Sequence, residues 1–97
     1  MEVRRTPEFG RWLQCQKDHA IKERILTRIN RVRVFGQFGD TKPVGEGVFE
    51  MRIDAGGGIR LYYAYRGEDV VLLLIGGDKS SQKRDIARAI RLNQRFE

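Results

Sequence analysis

The stretch VVLLLIGG, residues 70 to 77, constrains this chain more than any other. It is apolar at odd and even positions alike. A strand of that kind has no face for water, so it belongs in the centre of a sheet with cover on both sides. A charged and hydroxylated turn follows at once, and then a helical pattern in which Ile86, Ala89, Ile90, Asn93 and Phe96 share a face. Asp78, Ser80 and Ser81 are all N-cap types, and one of them starts that helix. Gly76 and Gly77 read as a tight exit from the strand that lets the backbone turn. Free backbone N–H groups at a helix start favour an anion, and Lys79 strengthens that preference. The GxxxxGK[ST] spacing of a P-loop is absent.

Two runs before this strand alternate. In VFEMRID, Phe49, Met51 and Ile53 interleave with Glu50, Arg52 and Asp54; in IRLYYAY, Ile59, Leu61, Tyr63 and Tyr65 interleave with Arg60, Tyr62 and Ala64. Short turns at 55–58 and 66–69 join the three runs, which makes them antiparallel neighbours. The segment 37–47 has Gly, Pro and Asp without periodicity and reads as a loop carrying Lys42. Earlier, Glu2 to Arg5 suits a short strand. Thr6-Pro7-Glu8 is a helix start whose apolar face carries Phe9, Trp12 and Leu13. Ile21, Ile25, Ile29 and Val32 mark a second helix ending near Phe35-Gly36, and Asp18-His19 separates the two as a helical hairpin. The order is β-α-α-β-β-β-α. That is an α+β fold with a small, mainly antiparallel sheet packed against a helical hairpin, closed by a C-terminal helix.

Ninety-seven residues argue for one domain over 1–97. A formal net charge of +6 and a pI of about 10.0 favour an anionic partner: nucleic acid first, a membrane surface second, an acidic protein third. No apolar run approaches the ~20 residues of a membrane helix, and no apolar h-region follows Arg4-Arg5, so a cytoplasmic location is expected. Cys15 cannot form a disulfide within the chain and reads as a partly buried helix residue. With His19 as the sole histidine, neither a zinc site nor a Cys/His catalytic pair has support.

Alternation points Arg52 and Arg60 away from the core on adjacent strands, where they can converge. Lys79 follows the next strand, and Lys42 adds a fourth cation. Such a sheet face could hold a polyanion, or could simply be solvated. Tyr62 shares this face and could stack on a base, although cross-strand packing explains it better; Tyr63 and Tyr65 should be core.

Three strings, GD-x-K-x-V-G-x-GV-x-E-x-RI (39–53), GIR-x-YY (58–63) and LL-x-GGDKSSQ-x-x-DI-x-x-A (73–89), together with TPEF-x-x-WL (6–13), resemble the RelE/ParE toxin superfamily, in particular its HigB-like addiction module killer branch. The resemblance implies the RelE-like element order above and a toxin of a type II toxin–antitoxin module. RelE-like and HigB-like members are ribosome-dependent mRNA endoribonucleases needing neither cofactor nor metal. Matched by motif, Arg60 takes the catalytic arginine's place, Lys79 that of a basic residue after the last strand, and Arg52 that of a substrate-contacting strand cation. The sequence departs from the RelE pattern twice: Asp85 occupies the region of a final-helix tyrosine, and Glu50 stands where another strand lysine falls.

The expected catalytic set is therefore Arg60, Lys79 and Asp85, with Lys42, Arg52 and Tyr62 contacting RNA. Asp85 would serve as a base or would orient Lys79 or Arg60. The expected partners are mRNA on the ribosome and a HigA-like helix-turn-helix antitoxin, not a membrane. Two other functions stay open: a ParE-like gyrase poison, and a non-catalytic module that binds antitoxin or RNA.

Overall fold

The computed structural model describes residues 1 to 96. In it β5 (Val70–Gly77) runs inside the sheet, as its two apolar faces require. Before it come β1 (Glu2–Arg5), α1 (Pro7–Gln14), α2 (His19–Phe35), β2 (Thr41–Gly45), β3 (Val48–Ile53) and β4 (Ile59–Tyr65). A 3-10 turn at Lys79–Ser81 and helix α3 (Gln82–Arg95) follow. The strand order is β1-β5-β4-β3-β2; β1 pairs parallel with β5 and every other pair is antiparallel. The result is a small α+β fold built on a five-stranded mixed sheet.

The two faces of β5 feed two cores. Val71 and Leu73 join Leu61, Tyr63, Met51 and Ile53 beneath Phe9 and Leu13 of α1 and Ile25 and Val32 of α2. Leu72, Leu74 and Ile75 join Tyr62, Ala64 and Val48 beneath Ala89 and Leu92 of α3. Each large side chain so buried contributes about 1.5–3 kcal/mol. A bulge makes the second set possible: Tyr62 pairs with Ile75 and Tyr63 with Leu73, so Leu74 is the extra residue. Leu74 and Ile75 thus both face α3. Beyond the bulge the alternation resumes, with Gly76 towards α1 and Gly77 towards α3.

The helix signals act as their chemistry dictates. Thr6 Oγ1 accepts from Phe9 N at 2.9 Å and donates to Leu74 O at 2.7 Å, capping α1 and tying it to β5. Asp18 caps α2 through Ala20 N at 2.9 Å, and Gly36 ends it in a left-handed conformation at φ 65°. The Glu8–Arg95 ion pair joins α1 to α3.

Four expectations need correction. The segment expected as a loop contains strand β2, paired to β3. It escapes the alternation test because it is an exposed edge carrying Pro43 and a bulge between Pro43 and Gly45, both edge-strand features. The face of β3 and β4 that carries Arg52 and Arg60 is not open, because α3 lies over part of it. Tyr65 is 41% exposed rather than core, and leans edge-on against Phe49 at 5.5 Å. Cys15 is exposed, at the C-cap of α1.

Candidate functional site

A carboxylate organises the cations. Glu50 sits mid-strand on β3, fully buried on the α3 side. A buried charge is costly unless paired and hydrogen-bonded; its neighbours supply charge partners to both oxygens and hydrogen bonds to Oε1. Gln82, the first residue of α3, donates to Glu50 Oε1 at 2.7 Å. Arg60 Nε lies 3.4 Å from the same oxygen, while Lys42 Nζ and Arg52 Nε each lie 3.9 Å from Oε2. Strand register explains the convergence: Lys42 and Tyr62 are the cross-strand partners of Glu50, and Arg52 pairs with Arg60 one step along the same face. The contacts are electrostatic rather than aligned, since among the described residues Glu50 Oε2, Arg52 Nε and Arg60 Nε have no hydrogen-bond partner.

Tyr62 belongs to this buried group. Its hydroxyl donates to Glu50 Oε1 at 3.4 Å, and the ring is wholly enclosed. Burial, then the negative charges of Glu50 and Asp85, hold its phenol proton far above the usual range, so it remains a donor. The expected base-stacking role does not fit this placement, because the ring is fully buried in the core beneath α3 and has no exposed face for a base.

Arg60 and Lys79 meet around Gly58. The Arg60 side chain is only 9% exposed, and its guanidinium donates through Nη1 to Gly58 O at 2.7 Å. Gly58 adopts φ +83°, and a Cβ there would lie 2.9 Å from Arg60 Nη1 and 3.5 Å from Lys79 Cβ. Lys79 N is held to Gly57 O at 3.4 Å across the turn. The β3–β4 turn and the 3-10 turn thus bring the anchored Arg60 guanidinium and the backbone of exposed Lys79 to the same glycine. Asp78 caps the 3-10 turn through Ser80 N at 2.9 Å and also accepts from the Ser80 hydroxyl; that hydroxyl above all, then the backbone N–H groups and Arg60, hold its carboxyl below the usual range.

Asp85 joins by another route. It accepts from Ser81 Oγ, so Ser81 occupies the N-cap position of α3 without capping it. Among the described residues neither Lys79 nor Arg60 is bonded to Asp85, and its orienting partner is Ser81. The carboxylate rests directly on the backbone of Gly77: a Cβ there would overlap Asp85 Oδ2 and lie 3.1 Å from Ser81 Oγ. A Cβ on Gly76 would overlap the Trp12 ring. Both glycines lie within β5, and close approach rather than a turn explains them. Gly77→Ala is expected to destabilise the protein by about 1–3 kcal/mol through overpacking. Adding Asp85→Ala should recover part of that loss in thermal melts, and a single variant melting like wild type would remove the contact from consideration.

The structure therefore gathers Lys42, Arg52, Arg60 and Tyr62 on Glu50, sets Lys79 beside Arg60, and places Asp85 at the start of the helix that supplies Gln82. Sequence reasoning missed Glu50 and Gln82 as organisers. The available signal was Glu50 alternating with Arg52 on one strand, with Arg60 on the same face of the next.

Residues 11–97 match the model of the family of phage-derived, Gp49-like proteins. The chain belongs to the Gp49-like family. This is a family of toxin–antitoxin-like proteins. The match takes in β2 to β5 and α3, and so every residue of the Gp49-like site just described. An uncharacterized protein of Haemophilus influenzae strain Rd is 44% identical over 94 residues, covering 97% of this Gp49-like chain and 94% of that protein. No helix among the described residues is long and apolar enough to cross a membrane.

Proposed function

We propose that this Gp49-like chain is the toxin of a type II toxin–antitoxin module, and that it cleaves mRNA on the ribosome without a metal. The supporting observation is the anchored Arg60 guanidinium, with the exposed Lys79 at the same glycine turn. In such a reaction the RNA 2′-oxygen forms a bond to phosphorus and loses its proton, the bond to the 5′-oxygen breaks, and that oxygen gains a proton. Negative charge gathers on the phosphoryl oxygens in between. Fixed cations stabilise that charge more than the ground state, and one such donor contributes roughly 3 kcal/mol.

Arg60 is the fixed donor and Lys79 the second cation. Arg52 and Lys42, each about half exposed, hold the flanking backbone. Asp85, held by Ser81, sets the start of α3, and through it Gln82 and Glu50. Placement of the mRNA by the ribosome supplies orientation. The basic surface also suits an acidic segment of a helix-turn-helix antitoxin.

Primer extension on cellular mRNA after brief expression, with and without translating ribosomes, tests the reading. Codon-phased cuts that need translation are expected. Intact mRNA accompanied by DNA-damage induction would instead support a gyrase poison, and neither effect a non-catalytic module.

A further inference from the structure

A cleft of about 630 Å³ opens between α2 and the ends of β3 and β4, and Arg60 lines it. The opposite wall is a stripe of arginines on α2: Arg24, Arg28 and Arg31, at i, i+4 and i+7. Like charges at this spacing repel, and α2 has no acidic residue three or four positions from any of them. With Arg52 the cleft has five guanidinium groups against two carboxylates, Asp40 and Asp54. Asp40 is already engaged, 3.5 Å from Arg52 Nε.

One arginine of the stripe has a structural duty. Arg28 donates to Arg52 O at 2.8 Å and to Phe38 O at 2.6 Å, fixing α2 to the sheet and forming the cleft floor. Its pKa is lowered by burial first and then by Arg31 and Arg24, with Asp40 opposing, as expected where cations outnumber their counter-ions. Arg24 and Arg31 have no ion-pair partner among the described residues. They stand seven positions apart, a rise of roughly 10 Å along the helix, which is longer than one phosphate group. An anion that is itself extended fits this span.

We propose that the α2 cleft binds backbone phosphates of the RNA strand next to the bond addressed by Arg60 and Lys79, with Arg24 and Arg31 as the contacts. This rests on the proposed nuclease reading only in naming the strand; the cleft's affinity for RNA can be read without any cleavage.

The probe is a short single-stranded oligoribonucleotide with 2′-O-methyl groups throughout, which has no 2′-hydroxyl to attack. Its affinity is measured over a salt series for the wild type, the Arg24→Ala/Arg31→Ala double variant, and Arg91→Ala on α3 as a charge control. Losing two contacts should cut the slope of log affinity against log salt by about 1.4, with affinity at least tenfold weaker at low salt. Arg91→Ala should keep the wild-type slope. Melting of the double variant should not fall, because repulsion is relieved. The proposal is overturned if the double variant binds like wild type, if Arg91→Ala loses as much, or if wild type does not bind. Salt-dependent binding through Arg24 and Arg31 without ribosome-dependent cuts would leave the cleft standing and remove the nuclease reading.

Discussion

Glu50→Ala is expected to destabilise the protein by about 3–5 kcal/mol, because it leaves a buried cation without its counter-charge. The cation is Arg60, whose guanidinium is nearly as enclosed as the carboxylate it faces. Lys42 and Arg52 can turn to water when Glu50 is lost, since each is about half exposed. Arg60 cannot, being buried and held to Gly58 O. Gln82 and Tyr62 lose an acceptor as well. Against a typical total of 5–15 kcal/mol, the loss is large. At roughly 4–8 °C per kcal/mol for a domain of this size, the melting temperature should fall by well over 10 °C.

The pair can be separated from its surroundings by a cycle. Glu50→Met alone should be about as damaging as Glu50→Ala, since the orphaned charge is the cause. Glu50→Met combined with Arg60→Met should recover most of the stability, because buried ion pairs are often replaceable by apolar side chains of similar volume. If the double variant is no more stable than the single, the cost lies in packing and not in charge. The recovered protein would still be expected to lack activity, which separates the stability of this cluster from its proposed use.

The fold was legible wherever one residue type dictates one local outcome. Asp18 and Gly36 bound α2 because a carboxylate caps free N–H groups and glycine tolerates φ 65°. The double-sided apolarity of β5 placed it inside the sheet. Period-2 alternation also separated the two faces of β3 and β4 correctly. It did not reveal that the face with Arg52, Arg60 and Tyr62 is covered, because alternation reports which residues share a face and not what lies over it. VVLLLIGG held the missing information. A strand apolar on both faces needs a second layer, and α3 is the element left to supply it. That layer encloses Tyr62 and Arg60 along with Leu72 and Leu74. Edge strand β2 had no comparable signal, since Pro43 and two glycines nearby mask a strand paired on one side. Gly76 and Gly77 were legible as special but not for the right reason: the contacts that exclude a Cβ come from Trp12 and Asp85, distant in sequence.

For the site itself, Arg60→Lys is the sharpest experiment. It keeps the positive charge and most of the volume, so Glu50 retains a counter-ion and the protein should stay folded, with melting lowered by only a few degrees. What it removes is the planar fork. Arg60 presents Nε to Glu50 while Nη1 binds Gly58 O at 2.7 Å, and an ammonium cannot hold both anchors in that geometry. If a fixed guanidinium stabilises the phosphoryl charge, cleavage should fall by about 10²–10³-fold, the loss typical for one prepositioned donor. Growth arrest on expression should be lost with it. Arg52→Lys supplies the comparison. Its side chain is 42% exposed and its neighbours Asp40 and Glu50 stand at 3.5 and 3.9 Å, distances an ammonium can match, so a change below about tenfold is expected. A folded Arg60→Lys protein that still arrests growth would show that position 60 supplies only charge. Catalytic weight would then move to Lys79, where no anchor among the described residues fixes the cation and where the ribosome rather than the fold would have to position the phosphate.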